Sequence, residues 1–323
     1  MHSFEELHKI INSYFQQYEW AKAPENLYKP IEYSLSLGGK RLRPILTLMS
    51  CELFSDNYNK AIDAAAAIEI FHNFTLLHDD IMDKASLRRG IPTVHARWNA
   101  NIALLSGDAM SIIAYRHISR ISYKMNECLD IFNDTALKIC EGQQIDMDFE
   151  ERADVTVDEY LHMITYKTAV LIACSLKIGS LVGGATSDEA EKMYDLGLKL
   201  GMAFQLQDDL LDVYGDEKIF GKNIGGDIVA NKKTYLLISA LNADSKSTRK
   251  QLTTAMNEIF LANDDKISKV TDIYNQLGIK ELTLKTITAY FSEAIGILNS
   301  IPIKENKKIV LRDLILSLKS RSF

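Results

Sequence analysis

Residues 60–83 read KAIDAAAAIEIFHNFTLLHDDIMD. Alanine is the best helix former, and the stretch holds neither glycine nor proline, so it predicts one long helix. Its apolar residues continue until the chain reaches Asp79-Asp80-Ile81-Met82-Asp83. A largely apolar helix that ends in three carboxylates is the feature from which the rest of the chain can be read.

On the N-terminal side, Phe4, Leu7, Ile10, Ile11, Tyr14, Phe15 and Tyr18 follow the spacing of one helix face. Ser3 with Glu6 reads as its capping box. A loop is expected around Pro24 and Pro30, running into GGKRLRP at 38–44, with helix resuming from Ile45 to Phe54. On the C-terminal side, Gly90 to Pro92 break the chain. Residues 93–301 then contain no proline, a poor setting for short strands and tight turns. Helix follows helix, punctuated by Gly107, Gly142, Gly183-Gly184 and Gly215, and Thr186 with Glu189 forms another capping pattern. Residues 215–231 are rich in glycine and charge and predict an irregular segment. No linker or repeat interrupts the chain, so residues 1–323 are expected to form one large all-α domain.

Of the 323 residues, 47% are hydrophobic and 25% charged, the balance of a globular chain, which excludes disordered, collagen-like and disulfide-stapled classes. The net charge of −6 gives no electrostatic case for nucleic acid. Cys51, Cys128, Cys140 and Cys174 form no CxxC pair and sit among apolar neighbours, so reduced thiols and a cytoplasmic location are expected. Glu5, Glu6, His8 and Lys9 interrupt the N-terminal apolar residues, so a signal peptide is not expected. The apolar run 168–185 contains Lys177 and glycines and reads as a buried helix rather than a membrane span.

A second box, Asp208-Asp209-Leu210-Leu211-Asp212, lies in the apolar stretch GMAFQLQDDLLDVYG. Both boxes read D-D-x-x-D, which places the first and last aspartates one helical turn apart on a shared face. Two such boxes in one chain have odds below about one in a hundred by chance. Asp264-Asp265, by contrast, has no third aspartate at that spacing and reads as a solvated helix end. Carboxylates on apolar helices need a positive partner, and an oxygen-only donor set suits Mg²⁺, which completes its shell with water and phosphate. Lys40, Arg43, Arg88 and Arg89 lie near glycines, and Lys167, Lys222, Lys232 and Lys233 near helix breaks. Guanidinium and ammonium groups bind phosphate oxygens. Together these features point to a metal-bridged diphosphate.

The motifs also carry a family likeness. GGKRLRP at 38–44, HNFTLLHDDIMD at 72–83, RRG at 88–90, PTVH at 92–95, GQQIDMD at 142–148, YKTA at 166–169, FQLQDDLLDVYGD at 204–216, GKNIGGD at 221–227 and NKKTYL at 231–236 occur in order. In them the chain resembles the trans-isoprenyl diphosphate synthases of short-chain type. That resemblance implies a helical bundle around a central cavity, the isoprenoid synthase type I fold, and a homodimer. It implies head-to-tail condensation of isopentenyl diphosphate with an allylic diphosphate. Asp79 and Asp83 would bind Mg²⁺ from one side, and Asp208, with Asp212 in support, from the other, three ions in all. Arg88, Lys167 and Lys232 would contact the allylic diphosphate, with Lys222 nearby. Lys40, Arg43, His72 and Arg89 would hold isopentenyl diphosphate. Gln205 and the Lys167-Thr168 segment would face the allylic cation.

In this family, bulky side chains below the first box set product length. Phe74 stands five residues before Asp79 and Thr75 four, a pattern that resembles synthases making the C20 product, with C15 as the alternative and longer chains after it. At about 100° per residue, however, Thr75 and Phe71 lie beneath Asp79 while Phe74 lies to the side. Two further readings come from other classes. Glu69 with His72 and Glu159 with His162 form Glu-x-x-His pairs of the kind used by helical di-iron proteins, and Glu5 with His8 makes a third. A non-catalytic partner subunit would be expected to lose a box, and both boxes are complete. A terpene cyclase shares the fold and first box, but the second box and RRG favour chain elongation. Lys319 and Arg321 read as a solvated basic tail.

Overall fold

The computed structural model describes residues 1–20, 22–215, 224–258 and 262–320. Helices dominate, and the strands among the described residues are two residues long. In order the helices are α1 (Phe4–Gln17), α2 (Glu25–Ser36), α3 (Leu42–Phe54), α4 (Ile62–Met82), α5 (Val94–Arg97), α6 (Ala100–Ile118), α7 (Met125–Glu150) and α8 (Val157–Ile164). They continue with α9 (Val170–Gly183), α10 (Ser187–Tyr214), α11 (Gly226–Val229), α12 (Tyr235–Leu241), α13 (Lys246–Asn257), α14 (Asn263–Gln276), α15 (Ile279–Ser300) and α16 (Glu305–Lys319). This is the all-α architecture expected from the sequence.

The predicted start signals are present. Ser3 and Glu6 close a capping box on α1 and bury Leu7, Ile11 and Phe15 on one face. Glu189 accepts from the Thr186 N–H and hydroxyl at 2.8 Å at the start of α10. One expectation fails: the loop around Pro30 is helix, because α2 runs through that proline. A mid-helix proline removes one backbone hydrogen bond. Here burial of Pro30 with Ile31, Ser34 and Leu35 outweighs that loss.

The chain forms two compact units. The first comprises Met1–Asp134, Leu171–Gly197 and Ile297–Leu314. At its centre α4 carries Ala64, Ala65, Ala66 and Ala67, all fully buried. Small side chains let neighbouring helices approach closely, and α4 packs along α6 and against α3. After α4 the chain makes a hairpin in which Leu87 pairs with Pro92 and Arg88 with Ile91. Its turn residues, Arg89 and Gly90, both have positive φ, the signature of a type I′ hairpin turn.

The second unit comprises Thr135–Val170, Leu198–Gly296 and Ile315–Phe323. Its distinctive element is a π-helical turn over Thr165–Ala169, inserted between α8 and α9. Two glycines make room for it. A Cβ on Gly142 of α7 would lie 2.4 Å from the Lys167 nitrogen, and one on Gly201 of α10 would lie 2.5 Å from the Ala169 Cα. The sequence places Lys167 near a helix break, and the interruption there is this π-helical turn. The apolar segment Val157–Gly183 is mostly buried, as the sequence reading requires. Cys51, Cys128 and Cys174 are buried thiols, whereas Cys140 is exposed rather than packed among apolar neighbours.

Candidate active site

In the first unit, the first aspartate box occupies the last turn of α4, with Asp83 as the C-cap. A helix C-terminus is the negative end of the macrodipole, so three carboxylates there are mutually and locally unfavourable without cations. The three side chains are not equivalent. Asp80 is buried, Asp79 half-buried and Asp83 exposed. Arg88, presented by the hairpin, donates from Nε to both Asp80 oxygens at 2.9 Å, and its Nη2 lies 2.7 Å from Oδ1. Burial opposes the charge on Arg88, yet the Asp80 hydrogen bond and the Asp79 and Asp83 charges raise its pKa. The middle carboxylate is thus bound by the protein, while the first and last share the more open face.

A basic cluster adjoins this box within the same unit. Arg89 donates through Nη1 to the Gly38 carbonyl, and its guanidinium lies where a Cβ on Gly39 would fall. The two glycines therefore bring GGKRLRP and RRG together. Arg43 Nη1 lies 3.1 Å from His72 Nε2. A guanidinium can only donate, so Nε2 accepts and the ring proton resides on Nδ1. Burial, then the charges of Arg43, Arg89, Arg88 and Arg41, push the His72 pKa well below its ordinary value. Lys40 is exposed beside them.

Arg41 of the same motif turns inward. It donates to Glu69 Oε1 at 2.5 Å, to Asn12 Oδ1 at 3.3 Å and to the Leu35 carbonyl. Glu69 is thereby occupied, and Glu159 is held by Arg152 at 2.8 Å and by its capping box with Thr156. Both glutamates of the candidate di-iron pairs thus serve structural arginines and helix caps, which removes that reading.

In the second unit, the second box lies in the last two turns of α10 and repeats the pattern. Asp208 and Asp212 are half-buried, whereas Asp209 is buried. Asp209 accepts from Gln205 Nε2 at 3.0 Å through Oδ1 and from the Tyr160 hydroxyl through Oδ2. Burial first, then the Asp227 charge, pushes the Asp209 carboxyl up to about 7, against the pull of those hydrogen bonds and of Lys232. Gln205 Oε1 in turn accepts from the Thr168 hydroxyl at 3.0 Å. Lys167, on the π-helical turn, reaches Asp146 Oδ2 at 2.5 Å. Asp212 Oδ2 accepts from the Asp227 N–H at 2.9 Å, tying α11 to the box, and the exposed Lys232 follows that helix. Lys222 and Arg321 lie outside the described residues.

The candidate length determinants belong to the first unit. Phe71 is 3% exposed and packs on Phe74 and Phe132, with ring centroids 5.3 and 5.2 Å away. Phe74 is half-buried and edges against His78 at 4.7 Å. The Thr75 hydroxyl is turned back to the His72 carbonyl at 2.8 Å.

The donor set fits Mg²⁺. Each box offers its first and fifth carboxylates from a helix C-terminus that favours a cation, and each keeps its second carboxylate inside. Among the described residues no group of three His, Cys, Asp or Glu side chains converges to cage a metal alone. Mg²⁺ is commonly held by one or two carboxylates together with substrate phosphate.

Sequence reasoning gave no role to Asp80, Asp209, Asp146, Tyr160 or Arg41. Asp146 stands in the quoted GQQIDMD block, but its partner Lys167 is 21 residues on. Residues 24–277 match the polyprenyl synthetase family. A geranylgeranyl diphosphate synthase of Methanosarcina mazei is 42% identical over 226 residues, 69% of this chain and 70% of its own. Another from Sulfolobus acidocaldarius is 35% identical over 308 residues, 94% of this chain and 92% of its own. A crystal structure of a geranylgeranyl pyrophosphate synthase, 42% identical, covers 100% of both chains at a TM-score of 0.94. With a match that spans both aspartate boxes, the basic cluster and the π-helical turn, the chain belongs to the polyprenyl synthetase family.

Proposed function

We propose that this protein condenses isopentenyl diphosphate with an allylic diphosphate, head to tail, releasing diphosphate and building a C20 product. The observation that carries this reading is the shared asymmetry of the two boxes: the second aspartate is buried on a protein partner, the first and fifth are more open. Asp79 and Asp83, and likewise Asp208 and Asp212, are assigned to Mg²⁺. When bound, Mg²⁺ neutralises the diphosphate that departs as the allylic C–O bond ionises. Arg88, Lys167 and Lys232 add positive charge for that leaving group, with Lys222 assigned beside them. Lys40, Arg43, His72 and Arg89 hold isopentenyl diphosphate, and neutral His72 keeps the Arg43 guanidinium oriented. The oxygens of Gln205 and Thr168 face the developing cation. The released diphosphate accepts the final proton, so no dedicated histidine base is needed.

The C20 product is supported by the relatives at 35–42% identity that are named geranylgeranyl diphosphate synthases. Phe71, Phe74 and Thr75 are assigned to the floor that stops the growing tail. A homodimer through α6 is supported by Leu104, Leu105 and Ile112, which stand 50%, 60% and 62% exposed. The buried free thiols fit a cytoplasmic enzyme. The test is incubation with isopentenyl diphosphate, Mg²⁺ and, in turn, the C5, C10 and C15 allylic diphosphates, followed by sizing of the products. Accumulation of C20 is expected, and absence of elongation from every starter would overturn the reading. Sedimentation of the purified protein reads its assembly state.

A further inference from the structure

Resting on that reading, we propose that Tyr160 and Asp209 are positioning residues that fix the polarity of the Gln205 side chain, so that its oxygen and not its amide nitrogen serves the reacting centre. A glutamine amide has two nearly isosteric ends of opposite polarity. With its NH₂ group turned outward, Gln205 would oppose a developing carbocation. With its oxygen outward, it stabilises that cation. The choice between the two is made at the buried end of the chain of hydrogen bonds.

The Gln205 amide nitrogen donates to Asp209 Oδ1 at 3.0 Å, which leaves Oε1 to accept from the Thr168 hydroxyl at 3.0 Å. The other carboxylate oxygen is taken by the Tyr160 hydroxyl, which stops the carboxylate from swinging away from the amide. Tyr160 and Asp209 are 2% and 5% exposed, so no bulk water competes for these bonds. Tyr160 is itself held by α8 and packs near the Tyr235 ring at 6.4 Å. The four residues come from α8, the π-helical turn and α10 of one compact unit. The acidic residue next to a metal-assigned aspartate thus acts on the organic half of the reaction, through Gln205, and not on the metal.

A double-mutant cycle on the full-length enzyme separates this role from metal binding and from simple structural support. Asp209→Asn replaces the carboxyl oxygen that accepts from Gln205 with an amide that can pair with either end of the glutamine. It is expected to lower kcat about 10- to 100-fold while KM for both diphosphates and the Mg²⁺ half-saturation stay within about twofold. On a Gln205→Leu background the same change is expected to cost less than about threefold, since the group through which it acts is gone. Tyr160→Phe, a smaller perturbation, is expected to show the same pattern at lower amplitude. It completes an equivalent cycle if Asp209→Asn does not fold by circular dichroism. Losses that multiply across the cycle, or a raised Mg²⁺ half-saturation in Asp209→Asn, would overturn the proposal while leaving the synthase reading intact. A wild-type enzyme that elongates no allylic starter would overturn both.

Discussion

Arg88 grips Asp80 through both carboxylate oxygens, with its Nε 2.9 Å from each. The pair joins the hairpin to the end of α4 and leaves the flanking aspartates of the box with a different task. Breaking a largely buried pair by removing one partner strands the other charge. Asp80→Asn is therefore expected to cost about 2–3 kcal/mol in urea unfolding, allowing for the partial exposure of Arg88. Asp79→Asn removes a negative charge from the negative end of a helix, which is worth about 0.3–1 kcal/mol in favour of folding. It should leave stability unchanged or raised while Mg²⁺-dependent turnover falls at least about 100-fold. If the two variants lose stability alike, the division of labour within the box is wrong.

The π-helical turn depends on two glycines that carry no side chain where backbone passes. Gly201→Ala would drive a Cβ to 2.5 Å from the Ala169 Cα, and Gly142→Ala to 2.4 Å from the Lys167 nitrogen. Neither neighbour is the flexible end of a side chain. Each variant is expected to lose at least about 2 kcal/mol and to reduce kcat by displacing Lys167 and Thr168. Gly296→Ala supplies the contrast, for it lies within α15 with nothing within 4 Å of the added carbon. Alanine there should stabilise by about 0.5–1 kcal/mol through helix propensity. Thermal and urea unfolding of the three variants side by side decide the matter.

What could be read without a structure follows from the range of the interactions. The boxes, the capping residues at Ser3 and Thr186, and the Ala-rich helix are local patterns, in which the responsible residues lie within a turn or two of one another. The π-helical turn leaves no such trace, because the insertion is set by Gly142 and Gly201 on other helices. The inward turn of Arg41 is likewise invisible: in GGKRLRP three basic residues look alike, and only the buried Glu69 and the half-buried Asn12 distinguish the middle one. Tyr160 stands 49 residues from Asp209, so nothing in either neighbourhood announces the bond. Pro30 misled for the opposite reason, since a strong local signal was overridden by packing.

Two histidines tie stability to pH. Burial, then the surrounding arginines, lower the His72 pKa well below its ordinary value of 6.5. His117 is also lowered by burial, with Asp63 opposing through a 2.8 Å contact and Arg120 and Arg116 adding to the shift. Tyr14 faces the same ring at 3.5 Å, its own pKa raised to about 12. The unfolded chain takes up protons at both positions as pH falls through 6.5, whereas the folded chain does so only at lower pH. Stability is therefore fully present above that pH and falls below it, by up to about 1.4 kcal/mol per pH unit for each histidine. Urea unfolding at pH 7.5 and 5.5 should show the loss, and His117→Asn should lessen the difference. An unchanged difference would mean that His117 takes its proton within the fold.

The floor of the growing tail is open to direct test because its two aromatic candidates differ in burial. Phe71 lies two turns below Asp79 and is enclosed by Phe74 and Phe132, with Tyr115 continuing the cluster 5.2 Å beyond Phe132. Phe74 is half-buried and, besides Phe71, edges against His78. Truncating Phe71 should cost about 3–5 kcal/mol, as expected for a packed aromatic, and truncating Phe74 less. Each truncation removes a ring from the path assigned to the tail. Phe71→Ala and Phe74→Ala are each expected to shift the product from C20 to C25 or longer, and the double variant to shift it furthest. Product sizing with the C15 allylic starter gives the answer. If both single variants still stop at C20, neither ring is the floor, and the stop must be sought elsewhere along the tail's path.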